Sequence, residues 1–290
     1  MRHERWSAVL LAVTLVTTAC VGRRSSEYMP PASAPTAAPT SAARADGLAT
    51  FEIRANDDSY TSADEISAGR VAVTLHNAAH QRRNAELFRV NDGVSLLQVA
   101  AAFERDPRSV MSLMTFAGGP GTVPPGGSQE VIEDLSEGQY IMATVLPGEG
   151  VPHGMFKPFR VAAPRTSPTQ APLPGDERVI LADFAFGIPP LAAGKHTLRL
   201  DNVGQEPHEI LIKRLAPERT LADSLAFVVS PTGSPPFADA GGVLMFPSGQ
   251  SATLAVDLAP GPYVAICYFL DPVRGKTHAE LGMIRDFTVD

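Results

Sequence analysis

Two stretches of this chain match each other residue by residue, and that duplication restricts the fold more than any other feature. Ala68-Gly69 corresponds to Ala193-Gly194, Leu75-His76-Asn77 to Leu200-Asp201-Asn202, and Gly118-Gly119 to Gly241-Gly242. Pro124, Gly126 and Ser128 correspond to Pro247, Gly249 and Ser251. Asp134-Leu135, Gly138 and Tyr140 match Asp257-Leu258, Gly261 and Tyr263, and Met155 and Phe159 match Met283 and Phe287. The offset stays between 123 and 128 residues, so insertions are small. A period this long means a duplicated domain, not a solenoid of short repeats. The repeats occupy residues 48–163 and 175–290.

Each repeat reads as short strands. Residues 70–75 and 196–200 alternate apolar and polar side chains, and 85–90, 209–215 and 251–258 are further strands. Pro260-Gly261 turns the chain into a strand at 263–269, and the last strand covers 282–289. One helix interrupts each repeat, at 95–104 and at 217–228, where Pro217 suits an early helical position. The chain carries 26 prolines and 24 glycines, which fits many turns. The expected fold is all-β: two tandem Greek-key β-sandwich domains, each with a short helical insertion. Gly118-Gly119-Pro120-Gly121 reads as a loop.

The ends of the chain speak to its location. Arg2 and Arg5 precede an apolar run at 8–16, too short to span a bilayer, and Thr17-Thr18-Ala19-Cys20 follows. Residues 1–20 therefore read as an export signal. Small residues before a cysteine resemble a bacterial lipobox, although Thr17 stands where leucine is usual. The resemblance implies lipidation of Cys20, a membrane anchor, and residence in the bacterial cell envelope, periplasmic or at the surface. Residues 21–47 are rich in Pro, Ala, Ser and Thr and read as a disordered tether, and 164–174 read as a linker of the same kind. Lys+Arg total 24 against 31 Asp+Glu, a net charge of −7, with no basic cluster, which argues against nucleic-acid binding.

Cys267 is the one cysteine outside the signal, so it has no partner within the mature chain. It lies near the end of a strand, His278 and Met283 flank the start of the next, and His208 opens another. Strand ends of a Greek-key sandwich meet at one pole. Two imidazoles and a thiolate there would form a trigonal set with a weak axial methionine, the ligands of an electron-transfer copper site.

The second repeat resembles a cupredoxin, the family of plastocyanin and azurin. The resemblance rests on the turn from Asn202 to His208, the Gly-x-Tyr-x-x-x-Cys strand from Gly261 to Cys267, and His278-Ala-Glu-Leu-Gly-Met283 leading into Phe287-Thr-Val289. It implies one copper ion in the C-terminal domain, held by His208, Cys267, His278 and Met283, and a redox partner or copper donor. Ten residues, 268–277, separate Cys267 from His278, against a few in the best-known members. In the first repeat Asn84 is read opposite His208 and Thr144 opposite Cys267, so no metal is expected there; His76, His80 and His153 read as scattered surface residues. No His-x-His pair occurs, which speaks against a multicopper oxidase or the catalytic centre of a copper nitrite reductase. An electron carrier or copper-holding protein is expected, rather than an enzyme. The rival readings are a metal-free binding or scaffold module on the cell surface, or an accessory subunit whose chemistry lies in a partner.

Overall fold

The computed structural model describes residues 48–105, 109–146, 155–164 and 173–290. The export signal, Cys20, the tether, His153 and most of the linker lie outside these. The first repeat contains β1 (Ala49–Ala55), β2 (Tyr60–Thr61), β3 (Glu65–Ser67), β4 (Gly69–Asn77), β5 (Glu86–Val90), α1 (Leu96–Arg105), a short 3-10 turn, β6 (Met114–Phe116), β7 (Ser128–Leu135), β8 (Gly138–Ala143) and β9 (Phe156–Ala162). The second contains β10 (Glu177–Ala182), β11 (Ala185–Gly187), β12 (Gly194–Asn202), β13 (His208–Leu215), α2 (Leu221–Val229), β14 (Phe237–Phe246), β15 (Ser251–Leu258), β16 (Gly261–Ile266) and β17 (Ile284–Val289).

The halves repeat in register as well as in sequence. Gly69 pairs with Leu135 as Gly194 pairs with Leu258, and Tyr140 faces Phe159 as Tyr263 faces Phe287. Each tyrosine hydroxyl donates back four residues, to the carbonyls of Ser136 and Ala259. Asn77 donates to the carbonyls of Gln81 and Val123, and Asn202 donates to those of Glu206 and Phe246. Both asparagines are buried, so these bonds satisfy loop carbonyls that water cannot reach.

The two repeats are not separate sandwiches. One eight-stranded sheet runs β11-β10-β12-β15-β7-β4-β1-β2 through both, joined where Leu254 faces Val131. The opposite layer holds β14-β13-β16-β17 and β3-β9-β8-β5-β6. The segment read as a glycine loop connects them: Gly118 N–H donates to Met245, Gly121 N–H to Gly242, and Leu244 N–H to Gly119. Glycine is required for this approach. A Cβ on Gly121 would meet Gly242 backbone atoms at 2.9 Å, and one on Gly119 would meet the Ala85 carbonyl oxygen at 2.0 Å. One apolar core, from Phe51 to Val289, runs between the layers of both repeats.

The helices are set by caps. Ser95 and Gln98 cap α1 reciprocally, and Thr220 with Asp223 forms a capping box for α2. The second helix therefore begins after Thr220; Pro217 lies in the preceding turn, and Glu218 takes a positive φ of 63° there.

Candidate metal centre

Alternation along β16 sends Tyr263, Ala265 and Cys267 into the main core, and Val264 and Ile266 to the other face. The thiol arrives at the pole just past the strand's end. Cys267 N–H donates to Met283 and Met283 N–H donates to the His278 carbonyl, so backbone bonds tie three of the four expected ligands together. Cys267, His208, His278 and Met283 are all buried.

The ten residues between Cys267 and His278 do not wander. Leu270 bridges Thr277, and Asp271 N–H donates to Lys276, closing a small hairpin. Asp271 Oδ1 accepts the N–H groups of Val273 and Arg274 at 2.7 and 3.0 Å, which fixes its tip. Burial raises the Asp271 pKa, but Arg274 and these N–H groups more than offset it and bring the carboxyl down to about 2. Thr277 and Glu280 then cap a single turn, and His278 sits in it. The edge of the His278 ring is packed by Phe184 and Phe269, with ring centres 5.1 and 4.9 Å away.

His208 Nδ1 lies 3.1 Å from His278 Nδ1, and Cys267 Sγ lies 3.6 Å from that same His278 nitrogen. The donor atoms of the three residues all fall within 4.8 Å of one another. The outer nitrogens are taken: His208 Nε2 meets Asp183 Oδ1 at 3.0 Å, and His278 Nε2 meets Glu206 Oε2 at 3.0 Å. A carboxylate accepts from an N–H, so each ring carries its proton outside and turns its Nδ1 lone pair inward. Burial lowers both imidazole pKa values, so these rings resist taking a second proton. Burial likewise pushes the Cys267 thiol up, and the carboxylate of Glu209 adds to it.

Asp183 and Glu206, which hold the two rings, were not among the candidates the sequence pointed to. Asp183 is itself set by N–H donors from Gln205 and Glu206. Gly204 leaves room for the Asp183–His208 contact, since a Cβ there would meet Asp183 Oδ1 at 2.4 Å and His208 Nε2 at 2.6 Å. Glu206, Asp271 and His278 also converge, but Arg274 already stands between the two carboxylates. The duplication carried a signal for Asp183: its counterpart in register is Asp57.

One expectation is corrected. Asn84 is not opposite His208. His208 pairs with Phe246 as Arg83 pairs with Val123, so the counterpart of His208 is Arg83. Asn84 instead matches Glu209: Asn84 Oδ1 accepts the Val145 N–H, as Glu209 Oε1 accepts that of Tyr268. Thr144 does match Cys267, because its N–H donates to Met155 as Cys267 N–H donates to Met283. His76 and His80 stand apart, at Glu52 and Asp57 respectively.

No family model and no curated protein matches the chain. Among solved structures, a dithionite-reduced auracyanin from the photosynthetic bacterium Roseiflexus castenholzii is 20% identical; the match covers 39% of this chain and 95% of that one, with a TM-score of 0.30. Auracyanin A, a blue copper protein of Chloroflexus aurantiacus, is 17% identical over 40% of this chain and 99% of its own, at a TM-score of 0.27. A multicopper oxidase is 14% identical over 87% of this chain and 93% of its own, at 0.26. Likenesses at scores this low carry no argument about this chain.

Proposed function

We propose that this chain is an exported, cupredoxin-like protein that holds one copper ion in its second repeat and serves in electron transfer or copper holding. The observation that carries this reading is the pair of inward-facing Nδ1 atoms 3.1 Å apart, each ring anchored outside by a carboxylate. Two buried lone pairs so close repel one another unless a cation lies within their reach, and the rings resist protonation. The nearby sulfur makes the set two nitrogens and one soft ligand, which suits copper better than a hard cation.

In this reading His208 and His278 bind through Nδ1, Cys267 binds as thiolate, and Met283 is the weak axial ligand. Copper, when bound, supplies a one-electron redox change. Asp183 and Glu206 hold the rings' tautomer and orientation and raise their basicity. Phe184 and Phe269 keep water from the His278 ring, and the buried surroundings keep the donors in one arrangement. Cys20 carries the lipid anchor, the protein resides at the cell envelope, and a redox partner or copper donor meets it there.

The test is a titration of the full-length protein with Cu(II). One equivalent should produce an intense visible thiolate-to-copper band. Cys267→Ser should lose the band while circular dichroism stays that of the parent, because the same fold accepts a threonine at the matching position. A colourless protein whose Cys267 stays open to a thiol reagent after unfolding in the presence of copper would sink the proposal, and leave a metal-free binding module.

A further inference from the structure

The layer formed by β5, β13 and β14 carries a cleft of about 1700 Å³ between the two repeats. That exceeds the roughly 300–1,000 Å³ common for small-molecule sites. Leu96, Val99 and Phe103 of α1 line one side, and Phe227 and Val228 of α2 line the other. Three apolar side chains at the lining remain open to solvent: Met111, Phe156 and Leu270. Exposed apolar surface of this extent marks a place where something apolar enters.

The floor is polar, and almost every charge on it is satisfied. Lys213 and Arg82 both turn to Asp239. Glu209 takes the Tyr268 N–H. Glu104 stands on α1 at the lining. Glu86 differs: it is 1% exposed, takes a backbone N–H from Met245, and leaves Oε1 without a partner. Of the buried side-chain atoms without partners among the described residues, it is the one that belongs to a cleft-lining residue. A neutral hydroxyl, which both donates and accepts, partners this carboxyl whether or not it carries a proton, and the walls demand an apolar body.

We propose that the cleft binds an apolar organic molecule carrying a hydroxyl, which hydrogen-bonds to Glu86 Oε1. The bound molecule stands beside Phe269, whose ring packs edge-on against Phe116 at 5.6 Å on one side and touches His278 on the other. This inference is independent of copper, and Cys267→Ser should leave it intact.

The probe is N-phenyl-1-naphthylamine added to the full-length protein, displaced by 4-hexylphenol or by hexylbenzene, which lacks the hydroxyl. Probe fluorescence should rise saturably, and the phenol should displace it at about a tenfold lower concentration, the equivalent of one hydrogen bond. Glu86→Leu should still bind the probe but bring the two competitors together, and Glu86→Gln, which keeps an acceptor, should preserve the preference. No rise in fluorescence, equal displacement by both competitors on the parent, or an unchanged preference in Glu86→Leu overturns the proposal. The comparison on the parent protein decides even if a variant fails to fold.

Discussion

At the first repeat's pole the register puts Arg83, Thr144 and Asp57 where the second repeat has His208, Cys267 and Asp183. Tyr60 occupies the position of Phe186, and its hydroxyl contacts the Asn84 carbonyl and, at 2.5 Å, Thr144 Oγ1. The Arg83 guanidinium donates to the carbonyls of Asp57 and Arg82. The first pole thus brings its own cation and its own hydroxyl donor. The second replaces that cation with an imidazole and that hydroxyl with a phenyl ring, and so concentrates acceptors. A metal site here is a matter of a few side chains on a shared frame. The frame by itself implies no ion.

The halves are equivalents within one body, and the largest effect should come from separating them. Residues 175–290 alone would strip β7 from β15 and the Gly118–Gly121 segment from β14, leaving two unpaired strand edges and a bared core. We expect this fragment to aggregate or to lose cooperative unfolding, as read by size-exclusion chromatography and circular dichroism. A monomer that melts at the temperature of the whole chain would show that the shared sheet contributes little.

Much of the frame was legible beforehand, and the reasons are physical. Strands such as Ser251–Leu258 announce themselves by alternation, and the Asn77/Asn202 and Tyr140/Tyr263 pairs showed which residues correspond. The four expected ligands were legible because their order along the chain is distinctive. Two features were not. The offset of 125 residues at Asn77 and Asn202 also joins Arg83 to His208, but an arginine and a histidine share no chemistry that marks them as counterparts, and only the strand register shows it. The joining of the two repeats depends on backbone contacts between segments far apart in sequence, which leave no periodic mark, and its glycines look like those of any loop.

A second difference between the halves is electrostatic. Glu133 is buried where the other repeat has Val256, and burial raises its pKa to about 8 against the Gly119 N–H bond that lowers it. The folded state then keeps a proton that the unfolded chain releases above about pH 4.5. The contribution of Glu133 to stability is therefore greatest at low pH and falls as pH rises toward 8, by up to about 1.4 kcal/mol per pH unit. Glu133→Gln keeps an acceptor for Gly119 and should lessen the fall in stability between pH 5 and pH 8 in urea unfolding, while the buried Glu86 and Glu209, whose pKa values burial also raises, keep their share of it. An equal slope in parent and variant would remove Glu133 as its source. At the metal centre, Asp183→Ala should weaken copper binding about 10–100-fold. The matching change Asp57→Ala should leave it alone, because Asp57 meets His80 and Arg83 and none of the candidate ligands; equal losses from both would point to a general structural effect.

The smallest expected effect bears on how the first pole completes itself. Tyr60→Phe makes it resemble the second, where Phe186 already stands. The variant removes a hydroxyl that contacts the Asn84 carbonyl and Thr144, but Thr144 Oγ1 keeps its own bond to that carbonyl at 3.3 Å. One neutral hydrogen bond is lost with partial compensation, so unfolding free energy should drop by about 1 kcal/mol. Copper stoichiometry should stay at one, since Arg83 still holds the position of an imidazole. If instead the variant took up a second equivalent of copper, the hydroxyl and not the guanidinium would be what closes the first pole to metal.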